Sequence, residues 1–182
     1  NISRFISTHP DEDHIHGLKY LDSILDIRNF YCVANKATKN EVTDDFKYYC
    51  AFRDNPEVQF FVYRGCSRKW MNANDENDGQ NYGSSGINFL WPDLNNADYN
   101  EALKQAAQGV AFNNISPIFT YEVANGVKVI WMGDMEKDFQ EKIKDCVTWP
   151  QVDILFAPHH GRDSGKIPEE ILRKLNPQII VI

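Results

Sequence analysis

The sequence predicts a single α/β domain over residues 1–182, built as a mixed sandwich of strands and helices. Three observations carry this. Short apolar runs bounded by turn residues recur along the chain and alternate with stretches of helical spacing. Two longer runs, 115–123 and 127–132, are joined by Asn125-Gly126, a strong hairpin signal. Hydrophobic residues make up 42% of the chain and aromatics 13%, enough to build a core rather than a disordered segment.

In order, Ile2-Ser3-Arg4-Phe5-Ile6 reads as a strand. Residues 17–25 follow with apolar positions at 18, 21, 24 and 25, which is helical periodicity. Residues 29–34 read as a strand. Thr43-Asp44-Asp45 then starts a helix carried by 46–52 and stopped by Asp54-Asn55-Pro56. Residues 58–63 form the next strand. Arg64 to Gly86 is a long polar loop. Its acidic centre, 72–79, lacks the Asp-x-Asp-x-Asp-Gly register and terminal Glu of a calcium loop, so it reads as solvated. Residues 87–91 are a strand ended by Pro92. Residues 93–109 run through a loop into a short helix at 99–103. After the hairpin, Met135 to Cys146 reads as a helix and Asp153 to Ala157 as a strand. Pro168 opens a last helix at its first position, and Gln178 to Ile182 is a closing core strand. Trp70, Trp91, Trp131 and Trp149 read as core or edge packing rather than as a base-stacking platform.

Composition narrows the classes of function. No apolar run approaches the roughly 18 residues of a membrane span. The formal net charge of −7 disfavours broad nonspecific nucleic-acid binding, although cations held at an acidic site would offset it locally. Cys32, Cys50, Cys66 and Cys146 are scattered without a C-x-x-C pair and read as reduced thiols of a cytoplasmic chain. The chain opens and closes on strand-like runs, as expected of a fragment of a longer protein with neighbouring domains or protein partners.

The chemistry concentrates in three places. Thr8-His9-Pro10-Asp11-Glu12-Asp13-His14-Ile15-His16-Gly17 holds three of the five histidines and three acids at a strand-to-helix turn. Imidazole and carboxylate at alternating positions are the ligand types that hold zinc, manganese or iron. A helix cap needs one acid, not this density. The other two clusters are Asp134, after the strand ending in Met132-Gly133, and His159-His160, after the strand ending in Ala157. Every histidine of the chain lies in the first or third cluster. Taken alone, Asp134 is an ordinary turn residue, His159-His160 a loop dipeptide, and His16 a helix-surface or supporting histidine.

His9-x-Asp11-x-Asp13-His14-Ile15-x-Gly17 resembles the His-x-[His/Asp]-x-Asp-His signature of the metallo-β-lactamase fold. Thr8, Pro10 and Asp11 make it most similar to the branch containing the nuclease domain of bacterial DNA-uptake (competence) proteins. Val129 to Asp134 resembles that family's strand-Gly-Asp segment. Pro158-His159-His160-Gly161 and Asn114-Ile115-Ser116 resemble segments of the same branch. The resemblance implies an αββα four-layer sandwich, here lacking its first strands. It implies a site for two divalent metal ions, zinc or manganese. His9 and Asp11 would hold one ion, Asp13, His14 and one histidine of the terminal pair the other, and Asp134 would bridge. His160 is the favoured ligand and His159 the group touching the substrate oxyanion, with the reverse assignment open. Asp13 would orient a metal-bridging hydroxide or accept its proton. No histidine occurs between His16 and His159. That absence fits the nuclease branch and argues against β-lactamase, glyoxalase and lactonase activity. The expected function is metal-dependent hydrolysis of a phosphodiester substrate, DNA among the candidates. The alternatives are a small-molecule phosphoesterase or phosphodiesterase, and a non-catalytic partner-recruiting module with a vestigial metal site.

Overall fold

The computed structural model describes residues 1–74, 76, 77, 80, 81, 83–124 and 126–182. The elements in chain order are β1 (Phe5–Ile6), α1 (Glu12–Ile15), α2 (Leu18–Leu25), β2 (Phe30–Cys32), α3 (Asp44–Asp54), β3 (Gln59–Phe61), β4 (Glu76–Asn77) and β5 (Gln80–Asn81). There follow β6 (Ile87–Trp91), α4 (Ala97–Ala107), β7 (Ile118–Glu122), β8 (Lys128–Trp131), α5 (Lys137–Ile143), β9 (Ile154–Phe156), α6 (Glu169–Leu175) and β10 (Ile179–Val181). The fold is α/β with two principal sheets. One is three-stranded and parallel, in the order β1-β2-β3. The other is five-stranded and mixed, in the order β10-β9-β8-β7-β6, parallel from β10 to β8 and antiparallel from there to β6.

Side-chain alternation divides the smaller sheet between two cores. Phe30 and Cys32 face a cluster with Ile15, Leu18, Phe46 and Tyr49, while Tyr31 joins the main core. Phe30 is stacked between Phe5 and Phe52, at 5.6 and 5.0 Å between ring centroids. In the larger sheet, register aligns Phe89, Phe119 and Trp131 across three strands, and Phe156 of β9 stacks on Trp131. Neighbouring rings lie 5.4, 5.2 and 4.9 Å apart. Trp91, buried completely, meets Tyr99 of α4 and Phe139 of α5 edge-on.

Caps set the helix starts. Thr43 Oγ1 accepts the Phe46 N–H at the start of α3, and Asn96 Oδ1 accepts the Tyr99 N–H at the start of α4. Helix α2 starts on Gly17, whose φ of +81° suits a residue without Cβ. Its first turn is capped from a distance, because Asp45 accepts the N–H groups of Gly17 and Lys19.

Several expectations from sequence are revised. Helix α4 is longer than residues 99–103, because Ala102 and Ala106 bury a small-residue face and nothing breaks the helix before Gly109. Helix α5 is shorter than residues 135–146. Pro168 precedes α6 as its N-cap instead of occupying the first helical position. The polar 64–86 segment contains the β4–β5 pair; Asp75, Asp78 and Gly79 of its acidic run lie outside the described residues, as does Asn125 of the hairpin turn. Ile24 and Leu25 of the α2 stripe are exposed, and Trp70 is exposed where core or edge packing was expected. The closing strand pairs with β9 through its backbone, but at the sheet edge its apolar side chains are exposed rather than in the core.

Trp91→Ala is expected to lower unfolding stability by about 3–5 kcal/mol in urea denaturation, as for other buried aromatic truncations. Trp91→Phe is expected to cost clearly less, because it also removes a buried indole N–H that has no acceptor.

Candidate metal centre

Three strand ends converge. Strands β8 and β9 run parallel, so the loops after them, 132–134 and 157–161, emerge at the same sheet edge. They are tied together by the His159 N–H donating to the Gly133 carbonyl at 3.1 Å. The segment after β1 continues its pairing through the Ser7 N–H to the Tyr31 carbonyl, then delivers His9 and the one-turn helix α1 to the same place.

One ligand-type atom from each of Asp13, His14, Asp134 and His160 lies within 4.8 Å of the others. His14 Nε2 is 3.1 Å from Asp134 Oδ2 and 3.2 Å from His160 Nε2. His160 Nε2 is 3.3 Å from Asp134 Oδ2 and 3.5 Å from Asp13 Oδ2. His159 is oriented differently. Its Nδ1 is 2.9 Å from Ser164 Oγ, and its Nε2 reaches toward Asp134 at 3.9 Å. Of the terminal pair, His160 is therefore the closer to both carboxylates. His9 and Asp11 form a neighbouring pair, Nε2 to Oδ2, at 3.6 Å. His9 is buried, and its Nε2 has no hydrogen-bond partner.

His16 stands apart. Its side chain is 82% exposed and sits 3.9 Å from Asp45, which is occupied in capping α2. It groups with Glu12 and Asp45, but Glu12 accepts from Thr43 Oγ1 and pairs with Lys39. The helix-surface reading of His16 fits this placement.

The backbone of the third cluster is unusual. His159 and His160 have φ of 51° and 54°, followed by Gly161 at 72°. Left-handed conformations at two consecutive histidines carry strain, of the kind that surrounding structure sustains at functional sites. Gly165 is part of that support, since a Cβ there would lie 2.6 Å from His159 Cβ.

Electrostatics distinguish the groups. Burial, helped by the neighbouring His14, pushes the His9 pKa down to about 3, so its ring is neutral at physiological pH. Burial also disfavours charge on His14, but the hydrogen bond and charge of Asp134, with Asp13 and Asp11, outweigh it and raise the pKa. Burial would raise Asp134, yet its hydrogen bond to His14 and the charges of the surrounding histidines hold it below the ordinary carboxylate range. Burial raises Asp11, with Lys39 acting against it.

Sequence reasoning overlooked Lys39 and Ser164 and read Asp45 only as part of the α3 start, not as the cap of α2. Lys39 lies over the Phe46 and Phe112 rings at 5.1 and 5.6 Å and pairs with Glu12 beside the acidic turn. A single lysine between strand and helix carries no periodic or motif signal, and only tertiary packing brings it there. Asn114 and Ser116 acquire a physical reason. Asn114 Oδ1 accepts the Glu136 N–H while its amide donates to the Glu136 carboxylate, which anchors the chain just past Asp134. Ser116 Oγ accepts the Asp134 N–H at 3.3 Å.

No protein-family model matches this chain and no curated protein matches it.

A pH dependence follows for the metal-free protein, kept so by chelator. His14 titrates above its ordinary 6.5, so its share of the pair's stability is full below 6.5 and fades as pH rises through the raised value. Asp134 titrates below its ordinary 3.8, so its share is full above 3.8 and fades as pH falls through the lowered value. The difference in melting temperature between the chelated wild type and Asp134→Asn should be largest between these limits. It should shrink on either side, as read by scanning calorimetry across pH.

Proposed function

We propose that the chain is a metal-dependent hydrolase of the metallo-β-lactamase fold that cleaves phosphodiesters, in the manner of the competence-type nuclease branch, with the two sheets as the centre of an αββα sandwich. The observation that carries this is the convergence of Asp13, His14, Asp134 and His160 within 4.8 Å from three separate strand ends. The orphaned, buried Nε2 of His9 beside Asp11 supports a second position, since a neutral imidazole with an unused lone pair suits a cation.

In this reading, Asp13, His14 and His160 would hold one divalent ion and His9 and Asp11 another, with Asp134 available to both. Bound zinc or manganese supplies a lowered water pKa and stabilisation of charge on phosphoryl oxygens. Asp13, on the exposed side of the cluster, would accept the proton that the attacking water loses as its oxygen bonds to phosphorus, a proton that the departing alkoxide finally regains. Asp134, buried and held ionised, orients His14 and His160. His159, with Nδ1 committed to Ser164, presents Nε2 to a substrate oxygen. The acid-rich donor set favours harder cations such as manganese, which suit phosphoryl oxygens. The net charge of −7 favours, as a second reading, a small phosphodiester over a long polyanion. No described helix is long and apolar enough to cross a membrane.

The test measures metal content after purification without chelator, then turnover of bis-p-nitrophenyl phosphate, single-stranded DNA, RNA and cyclic nucleotides with manganese or zinc. Phosphodiester turnover is expected, with none of a β-lactam or thioester. Asp134→Ala should abolish turnover, while His16→Ala should stay within about tenfold of wild type, the mild end of the effects of supporting residues. Turnover of the lactam or thioester alone, or equal losses in the two folded variants, would overturn this reading.

A further inference from the structure

The ring of His9 is held between two hydroxyls. Its Nδ1 is 3.1 Å from Thr8 Oγ1 and 3.3 Å from Ser116 Oγ, while its buried Nε2 has no partner. The nearest carboxylate oxygen to Nε2, on Asp11, lies at 3.6 Å, beyond hydrogen-bond range. A neutral imidazole carries one proton, on one nitrogen or the other. A proton on Nε2 would bury a donor without an acceptor. A proton on Nδ1 meets two hydroxyl oxygens and leaves the Nε2 lone pair facing the cluster.

The hydroxyls are themselves constrained. Ser116 is fully buried, and its Oγ also accepts the Asp134 N–H. Gly133 packs against it so closely that a Cβ there would lie 2.5 Å from Ser116 Oγ and 3.0 Å from Thr8 Cβ. Thr8 Oγ1 additionally lies 3.5 Å from His14 Nδ1, so one hydroxyl touches the rings of both His9 and His14.

We propose that Thr8 and Ser116 are positioning residues that fix His9 as its Nδ1–H tautomer, presenting Nε2 as a ready ligand for a divalent cation. The cation clause rests on the metal reading of the site; the tautomer clause does not. Hydroxyl partners do here what carboxylates or carbonyls do behind most metal-binding histidines. The geometry also links the two halves of the site, because the hydroxyl that orients His9 is the one that seats the Asp134 backbone.

The experiment uses the whole chain labelled with 15N, stripped of metal, at neutral pH. Long-range proton–nitrogen correlation spectra distinguish protonated from bare ring nitrogens. Wild type should show His9 protonated at Nδ1 and bare at Nε2. Thr8→Val, nearly isosteric, and Ser116→Ala should together shift His9 toward the other tautomer, with Thr8→Val alone giving a partial shift should the double variant not fold. Thr8→Ser should restore the wild-type spectrum. Cobalt titration followed by absorbance should then show affinity weakened by about 10- to 100-fold in the hydroxyl-free variants and retained in Thr8→Ser. A wild-type His9 protonated at Nε2, or a folded Thr8→Val/Ser116→Ala variant with unchanged tautomer, would overturn the proposal. Wild type with the expected tautomer and no cobalt uptake would uphold the role of the hydroxyls and sink the metal reading instead.

Discussion

Three loops meet around one hydroxyl, Ser116 Oγ, and the candidate centre depends on that meeting. It touches His9 from the β1 loop, accepts the backbone N–H of Asp134 from the β8 loop, and leaves room for nothing larger than glycine at 133. The third loop, carrying His159 and His160, is tied in through the Gly133 carbonyl. Small residues at 116 and 133 let backbones approach closely, and that approach places imidazoles and carboxylates within reach of one another. The Asn114–Glu136 pairing locks the same segments a few residues further out.

Such a gathering of polar groups is electrostatically costly unless something compensates it. Two ring nitrogens, of His14 and His160, face each other at 3.2 Å and cannot both carry protons. Asp134 is drawn toward the charged form by the histidines around it, while His9 is forced to stay neutral. Lys39, gripped by two phenyl rings and paired with Glu12, is the nearby cation that offsets the acidic turn. The left-handed backbone at His159 and His160 adds strain to this edge. The fold concentrates its unfavourable terms at one place. The burial that sustains them lies in the Phe89–Phe119–Trp131–Phe156 ladder and the Trp91–Tyr99–Phe139 group.

By itself the sequence determined the α/β class and most element positions. Periodicity and turn chemistry are local, so β6, the 118–131 hairpin strands and the Thr43 start of α3 were legible from neighbouring residues alone. His9, Asp11, Asp13 and His14 stood out because ligand-type residues are concentrated in one turn, whereas Asp134 and His159-His160 were singled out only through their place in an ordered set of segments; of these residues Asp13, His14, Asp134 and His160 come together in space. Local patterns were weaker where burial decided the outcome. The extent of α4 follows from where Ala102 and Ala106 pack, and the β10 side chains are exposed although their run is continuously apolar. Only the tertiary structure decided that His160 is nearer than His159 to Asp13 and Asp134, that His16 faces solvent, and that Thr8 and Ser116 share the His9 ring. The physical reason is that ring orientation depends on tertiary contacts, the Ser116–His9 and Asp13–His160 pairs among them more than a hundred positions apart, and no spacing along the chain encodes them.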